Sequence, residues 1–272
     1  MSLTSETENS FLPLWKSVTA YRARFPEARF LLLDDIPSTQ DLVLHHLAAG
    51  TPDGIVVTAL HQTLGRGRMG HNWSAPKGSA LLVSIGIRVP ASALSSLPFA
   101  VGLAVRETIL SLSSARPLLK WPNDVLCDDR KISGILCESR SIGQDVLNVA
   151  LGIGLNVTVH TFPESAHGVS LDSYVSPPPT LGNVLTNLIE HVPKWIDASL
   201  TQSLSSILDE WRSAAYGIGS VITATQHDGS MISGTFRNVD NDGALLIDTA
   251  HGTERLLAAD VHLGLHTPSV PL

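Results

Sequence analysis

The sequence predicts an α+β fold, in which a mainly antiparallel, mixed sheet is covered by helices and is followed by a small C-terminal β-barrel. Strand-like apolar runs alternate with helical patterns through the first 214 residues. Between residues 118 and 157, three strand-like runs have short polar connections, as in an antiparallel meander. From Gly217 the chain changes to short strands separated by HDG and NDG turns, which are typical of hairpins. These observations divide the 272 residues into a large domain, 1–216, and a small barrel domain, 217–272.

The first half of the chain alternates between helical and extended patterns. Short apolar runs, several of them rich in β-branched residues, predict strands, and longer runs with apolar residues at helical spacing predict helices. Ser38 and Thr39 stand where they could cap the second helix, and Gly50 marks its end. The predicted helices are 9–24, 38–49 and 93–113, and the predicted strands are 29–34, 55–60 and 81–87.

The large domain ends in helices that follow the meander. The three runs of the meander are 118–125, 131–138 and 146–157. After the SPPP sequence that begins at Ser176, residues 181–214 have a helical pattern. Pro193 is expected to divide this pattern or to begin its second helix, because proline lacks the backbone donor of a helix interior.

Composition and charge exclude several classes of protein. The formal net charge of −7 argues against a protein that coats nucleic acid, because such binding needs many Lys and Arg contacts to phosphate. No apolar run approaches the roughly 20 residues of a membrane helix. The N-terminus, with Glu6 and Glu8, lacks the pattern of a secretory signal. Cys127 and Cys137 are too few for a disulfide framework. We therefore expect a cytoplasmic protein with no membrane partner.

Residues 62–78 have no periodic apolar face and therefore predict a long loop. The composition of this loop suits the binding of an anion. The loop contains GRGRMGHNW at 65–73, where glycines allow close approach of a ligand and Arg66 and Arg68 supply fixed cations. The spacing is that of neither a P-loop nor a Rossmann fingerprint. GRGR also occurs in disordered RNA-binding segments. Here, however, it stands between two predicted strands of an acidic chain and is followed by Trp73.

Four segments occur in the order found in biotin protein ligases, and over about residues 28–160 the chain resembles that family. The segments are GRGRMG followed by Trp73, KWPND at 120–124, RKISGIL at 130–136 and GIGLN at 152–156. The resemblance implies that 1–216 is a class II synthetase-like catalytic domain that binds biotin and ATP. By the same resemblance, the barrel would close over the nucleotide or meet the carrier, although no residue in it is diagnostic.

By similarity to that family, a cluster of small polar side chains would bind the fused-ring ureido end of biotin. The cluster consists of Ser38, Thr39, Gln40 and Gln62. For Ser38 and Thr39, simple helix capping is the alternative interpretation, and both roles can coexist.

The resemblance assigns the charged residues to the reacting groups. Arg66, Gly67 and Arg68 would bind the carboxylate of biotin and the phosphate, for which forked guanidinium donors suit the geometry. Lys131, at the start of a predicted strand, would contact biotin and neutralise charge on the α-phosphate during adenylation. A solvated surface lysine is the alternative interpretation. The family often has a further basic residue where this chain has Met69, but both arginines are present.

A second set of residues would bind ATP, as the resemblance implies. Trp73 offers a flat face for adenine, with a core tryptophan as the alternative. Asn123 and Asp124 resemble residues that hold ATP and metal and orient the incoming lysine, although Pro-Asn-Asp is also a common turn sequence. Gly65 and Asn156 complete the implied nucleotide site. We expect no dedicated metal site, since Mg²⁺ should arrive with ATP and lie nearest Asp124.

The resemblance implies formation of biotinyl-5′-AMP, followed by transfer to a lysine of a biotin carboxyl carrier domain. The catalytic candidates are Lys131, Arg66, Arg68 and Asp124. One alternative is a lipoate-type protein ligase, and another is a biotin-responsive nucleic-acid-binding protein. Fewer than about 30 residues precede the first predicted strand, whereas a DNA-binding domain needs about 50, so we expect no specific DNA binding. We expect a monomer or weak homodimer.

Overall fold

A seven-stranded mixed sheet forms the centre of the structure. The computed structural model describes residues 18–141, 145–162, 167–257 and 259–263. The strands are β1 (Phe30–Ile36), β2 (Ile55–Gln62), β3 (Ala80–Pro90), β4 (Leu118–Lys120), β5 (Asp124–Cys127), β6 (Arg130–Ser141) and β7 (Val146–Asn156). Their order is β1-β2-β3-β7-β6-β5-β4, in which β1 and β2 are parallel and the other neighbours antiparallel. This confirms the predicted α+β fold with its antiparallel meander.

Helices cover both faces of this sheet. They are α1 (Thr19–Arg24), α2 (Thr39–Ala48), α3 (Leu97–Leu112), α4 (Leu181–Thr201) and α5 (Leu204–Ser213). Successive side chains of β2 point to opposite faces of the sheet. Ile55 and Val57 pack with α2 on one face, and Val56 belongs to the larger core with the other helices on the opposite face. The predicted helix 9–24 is confirmed over α1, and residues 9–17 lie outside the described residues. None of the helices described here has the length and apolar character to cross a membrane.

Two predicted elements were wrong in detail. The run 118–125 is not one strand, because the turn at 121–123 divides it into the hairpin β4–β5. Pro193 lies inside α4 and is buried, so the helix continues past it and loses only one backbone donor. The break comes at Gln202, and the hydroxyl of Ser203 caps α5 by accepting a hydrogen bond from the backbone of Ser206 at 3.3 Å.

The C-terminal part of the chain is an open antiparallel sheet. Its strands are β8 (Val221–Thr225), β9 (Met231–Val239), β10 (Leu245–Thr249), β11 (Gly252–Leu256) and β12 (Asp260–Leu263), in the order β11-β10-β9-β8-β12. Gly229 and Gly243 have φ of 82° and 89°, so the HDG and NDG turns are confirmed. The predicted closed barrel is not formed by the described residues, because β12 pairs with β8 and does not reach β11.

The C-terminal sheet shares a hydrophobic core with the rest of the protein. Buried residues such as Phe236 and Leu245 belong to the same cluster as Trp121 and Trp211. The indole nitrogen of Trp121 also donates to the carbonyl oxygen of Gly243 at 3.0 Å. The C-terminal sheet is therefore held beside β4 and β5, and the division at 216/217 remains a proposal.

Candidate active site

Polar side chains from separate segments line a cleft of about 150 Å³ on the α2 face of the large sheet. The predicted site residues that line it are Ser38, Thr39, Gln40, Gln62, Arg66, Gly67, Arg68, Trp73, Asn123, Asp124 and Lys131. The sheet brings them together because Gln62, at the end of β2, contacts Thr39 at the start of α2, while Gln40 lies over the middle of β6 and β7. Gly65 and Asn156 were also predicted, but they are not among the lining residues.

Three strand glycines form the floor of the cleft. A methyl group added at Gly154 would lie 2.3 Å from the ring of Trp73, and one added at Gly152 would lie 2.8 Å from Cδ of Gln40. At Gly134 the nearest ring atom of Trp73 would be 3.0 Å away. Trp73 and Gln40 can therefore rest on the backbone only because these positions lack side chains. The sequence interpretation missed this role, although glycine inside a strand pattern indicates close approach of another group.

The start of α2 carries buried polar atoms that the protein leaves without partners. Ser38 is the N-cap residue, but its side chain makes no capping hydrogen bond, and its buried Oγ has no partner among the described residues. The buried Oε1 of Gln40 is likewise without one. Gln62 instead accepts hydrogen bonds from the backbone and hydroxyl of Thr39, at 2.7 and 3.0 Å. Because unpaired buried polar atoms are costly, Ser38 and Gln40 suit a polar ligand in the cleft.

The glycine-rich loop is folded into a short hairpin. The backbone of Gly67 donates to the carbonyl oxygen of His71 at 2.7 Å, and that of Trp73 donates to Gly65 at 3.1 Å. A methyl group at Gly65 would lie 2.3 Å from the carbonyl oxygen of Trp73, so the hairpin needs glycine there. Gly65 therefore shapes the loop from behind the cleft.

The two arginines of the loop have different surroundings. Arg66 donates to both carboxylate oxygens of Asp41 at 2.8 Å and to Glu138 at 2.9 Å. These bonds raise the pKa of Arg66, and the bond from Arg66 lowers that of Asp41. Burial lowers the pKa of Arg68, which donates only to the side-chain oxygen of Asn123, at 3.3 Å, and has no ion pair among the described residues. Arg68 is thus the cation better placed for an anionic ligand.

Lys131 joins the cleft through an ion pair. Its Nζ lies 2.7 Å from Oδ1 of Asp124 and 5.5 Å from the centroid of the Trp73 ring. Asp124 is largely buried, with 19% of its side chain exposed, whereas 39% of the Lys131 side chain is exposed, so solvent screens the pair in part. Nearby Lys120 is half-buried, and burial lowers its pKa. Lys131 therefore lines the cleft and pairs with Asp124 while part of its side chain stays exposed to solvent.

The C-terminal sheet contributes one lining residue that the sequence interpretation missed. Asp260, the first residue of β12, lines the cleft, and its carboxylate lies 3.3 Å from Nε2 of His71 in the loop. No motif marks Asp260, because its position depends on how the C-terminal sheet packs against the large one.

Asn156 and the two cysteines lie outside the cleft lining and contact the protein itself. The amide nitrogen of Asn156 donates to the carbonyl oxygens of Lys131 and Val169, at 3.3 and 3.1 Å, and so fixes the backbone that carries the lysine. Burial raises the pKa of Cys127 and of Cys137 to about 12 each, so both thiols are protonated at neutral pH. The described residues include no group of three or more His, Cys, Asp or Glu side chains that could hold a metal ion.

Two family models match the chain. Residues 32–156 match the model described as the biotin/lipoate A/B protein ligase family, and residues 217–264 match the biotin protein ligase C terminal domain. The cleft lies almost wholly in the first match, and Asp260 lies in the second. The fold and the site thus define a protein of the biotin and lipoate ligase class.

Individual relatives narrow this class. The chain is 33% identical over 231 residues to the biotin--[acetyl-CoA-carboxylase] ligase of Mycobacterium tuberculosis, covering 81% of this chain and 83% of that protein. It is 30% identical over 241 residues to the bifunctional ligase/repressor BirA of Bacillus subtilis, covering 86% and 74%. The chain belongs to the biotin protein ligase family.

Solved structures share the fold. The biotin protein ligase from Aquifex aeolicus in complex with biotin and ATP superposes with a TM-score of 0.74 at 24% identity, covering 87% of this chain and 99% of that one. The ligase from Leishmania major in complex with biotinyl-5-AMP gives a TM-score of 0.58 at 23% identity, covering 85% and 99%. The arrangement of both sheets is therefore that of known biotin protein ligases.

Proposed function

We propose that this protein is a biotin protein ligase that uses ATP to form biotinyl-5′-AMP and transfers the biotinyl group to a lysine of a biotin carboxyl carrier domain. In the first step, a carboxylate oxygen of biotin attacks the α-phosphorus of ATP and pyrophosphate leaves. In the second, the amine of the carrier lysine attacks the acyl carbon and AMP leaves. The observation that carries this proposal is that Arg68 and Lys131, from separate segments, line one cleft with unpaired polar atoms.

The polar end of the cleft suits the ureido group of biotin. The hydroxyl of Ser38 can donate or accept hydrogen bonds. Oε1 of Gln40 is an acceptor and cannot donate. Both atoms are buried and have no partner in the part of the chain that the structure describes, so a ligand with a carbonyl oxygen and N–H groups would satisfy them. Thr39 and Gln62 bind each other at this end and keep it in shape.

The cationic end of the cleft suits the reacting groups. Before any substrate binds, the partly buried Arg68 guanidinium donates to Asn123 and the Lys131 ammonium pairs with Asp124. Charge that moves onto the α-phosphate and the leaving pyrophosphate would meet cations already in place, which lowers the barrier without reorganisation. The backbone of Gly67 lies beside them in the same cleft.

Asp124 is the residue proposed for the second step. Attack on the acyl carbon needs a neutral amine, and a carboxylate beside the cleft can orient the incoming ammonium and accept its proton. Asp124 already holds an ammonium group, that of Lys131, at 2.7 Å. A second amine would therefore find a carboxylate positioned for the same interaction.

The nucleotide is assigned to the side of the cleft formed by Trp73 and Asn123. Trp73 rests on the glycine floor and supplies an apolar surface for adenine. The side chains fit a Mg²⁺ ion that is held mainly by phosphate oxygens and water, with Asp124 as the carboxylate within reach. When bound, the ion would neutralise phosphate charge. We predict that Gly65 contributes to nucleotide binding by shaping the glycine-rich loop. Asn156 would contribute by holding the backbone that carries Lys131.

The test is the mass of a purified biotin carboxyl carrier domain after incubation with this protein, MgATP and biotin. A mass increase of one biotinyl group, absent when the carrier lysine is replaced by arginine, supports the proposal. An increase with lipoate in place of biotin would instead establish the lipoate-type alternative. No increase with either acid would overturn the assignment to protein ligation.

Three further features remain predictions. We expect no sequence-specific DNA binding, which a gel shift at moderate salt would measure. We expect a monomer or weak homodimer, which sedimentation over a range of protein concentrations would test. A cytoplasmic location is expected from the two unpaired cysteines and would be checked by cell fractionation.

A further inference from the structure

Three side chains from distant parts of the chain meet beside the cleft. Arg66 of the glycine-rich loop binds both oxygens of Asp41, which lies in the first turn of α2, through parallel hydrogen bonds of 2.8 Å. The same guanidinium donates to Oε2 of Glu138 on β6 at 2.9 Å. The loop is therefore attached to both a helix and a strand of the cleft wall.

This cluster also reaches the polar end of the cleft. Oε2 of Glu138 accepts a second hydrogen bond, from Nε2 of Gln40 at 2.8 Å. Nε2 of Gln40 further donates to the carbonyl oxygen of Leu136 at 3.1 Å, and the Gln40 side chain is buried over Gly152. A single oxygen of Glu138 therefore holds both Arg66 and Gln40. The Oε1 atom of this same glutamine has no partner among the described residues.

The charge balance of this cluster is unsuited to an anionic ligand. Two carboxylates surround one guanidinium, so the group of Asp41, Arg66 and Glu138 carries a formal charge of −1. A carboxylate or phosphate approaching Arg66 would have to displace partners of its own sign. Arg68 donates to the neutral amide of Asn123 and forms no ion pair among the described residues, and the carboxylates of Asp124 and Asp260 act on it only at longer range.

We propose that Arg66 is a positioning residue and that Asp41, Arg66 and Glu138 form a latch, which holds the glycine-rich loop over the cleft and keeps Gln40 in place. This revises the expectation that Arg66 binds the carboxylate and phosphate directly. The bonds to Asp41 and Glu138 use three of the five guanidinium N–H groups of Arg66, so the buried Nε, which has no partner among the described residues, and one N–H of Nη1 remain for a ligand. The consequence for biotin rests on the proposed function, whereas the latch itself does not.

Hydrogen exchange in the protein without substrates tests the latch independently of any activity. Asp41→Asn and Glu138→Gln keep the shape of each side chain and remove its charge. Charge-assisted bidentate bonds are strong, so we expect amides of residues 64–73 to exchange on the order of ten-fold faster in each variant. Asp53→Asn is the matched control, because Asp53 pairs with Arg88 at 2.7 Å away from the loop. Unchanged loop exchange in both latch variants would overturn the proposal.

Steady-state kinetics then separate positioning from phosphate binding. A latch predicts that Asp41→Asn and Glu138→Gln raise the KM for biotin and change the KM for ATP little. If Arg66 bound phosphate, removing its competing carboxylates would free it and lower the KM for ATP, which would contradict the latch. If no acid is activated by the unaltered protein, the proposed function fails, while the exchange result still decides whether the latch exists.

Discussion

The Nζ atom of Lys131 lies 2.7 Å from Oδ1 of Asp124, and both residues line the cleft that contains Arg68. Pairing of β5 with β6 produces this contact. The register shifts between Val125 and Leu126, which places Asp124 opposite Gly134 while Leu126 faces Lys131. Bulges of this kind redirect side chains near functional sites. The position of the Lys131 ammonium group therefore depends on the pairing of β5 with β6 as well as on the ion pair with Asp124.

Replacing Lys131 with alanine should slow adenylate formation while the protein stays folded. Loss of one fixed charge-stabilising group at a reacting centre typically costs on the order of 100-fold in rate. Pyrophosphate release with biotin and ATP is the measurement. Lys194→Ala is the matched control, because Lys194 also has a carboxylate partner at 2.7 Å and a tryptophan ring at 4.6 Å, far from the cleft. Normal pyrophosphate release by the Lys131 variant would show that our role for it is wrong.

Replacing Arg68 with glycine should weaken retention of the adenylate. The partly buried guanidinium donates to Asn123 and forms no ion pair among the described residues, which leaves it available for an anion. Its loss should speed release of biotinyl-5′-AMP by on the order of ten-fold or more, as expected for a charged hydrogen bond. Release into excess unlabelled biotin measures this rate. An unchanged rate would remove Arg68 from the ligand site.

Replacing Gly154 with alanine should displace Trp73. The added methyl group would lie 2.3 Å from the indole ring, and such overpacking typically costs about 1 to 3 kcal/mol. We expect a lower free energy of unfolding and weaker nucleotide binding, measured by urea denaturation and by titration with ATP. Gly102→Ala in α3 is the control, since its methyl group would meet Leu119 at an ordinary 3.6 Å. That variant should be stabilised, because alanine favours helix more than glycine does.

The latch carboxylate Asp41 should influence stability in a defined pH range. Its hydrogen bonds with Arg66 hold its pKa in the folded protein below the ordinary value of 3.8. A lowered pKa adds stability that is complete above the unfolded-state pKa and is lost as the pH falls through the folded-state pKa. The difference in free energy of unfolding between the unaltered protein and Asp41→Asn should therefore be constant from about pH 5 to 8 and shrink below about pH 4. A difference that instead changes around neutral pH would contradict the assignment.

Much of the fold and most of the site residues could be predicted from the sequence. Strand and helix periodicity identified the meander and the helices, because local apolar patterns largely decide these elements. Arg68 could be singled out because its loop combines glycine with fixed cations, and Lys131 because the segment around it resembles that of biotin protein ligases. The structure shows that both line one cleft, which separate motifs cannot establish by themselves.

The remaining features depend on contacts between distant residues. Asp260 enters the site only through packing of the C-terminal sheet, and Glu138 joins Arg66 only because β6 passes beside the loop. Closure of the predicted barrel likewise depends on strand pairing and not on turn sequences, and among the described residues β11 and β12 do not pair with each other. Pro193 was expected to divide the helical segment or to begin its second helix, but it lies buried inside α4, which continues through it.

The central claim is that this cleft forms an acyl-adenylate from biotin. The most direct measurement is mass spectrometry of the small molecules bound after incubation with MgATP and biotin, without a carrier domain. The account predicts biotinyl-5′-AMP retained at about one per chain by the unaltered protein, and strongly reduced amounts with Lys131→Ala. Intact biotin and ATP recovered from the unaltered protein, with no adenylate and no pyrophosphate, would contradict it.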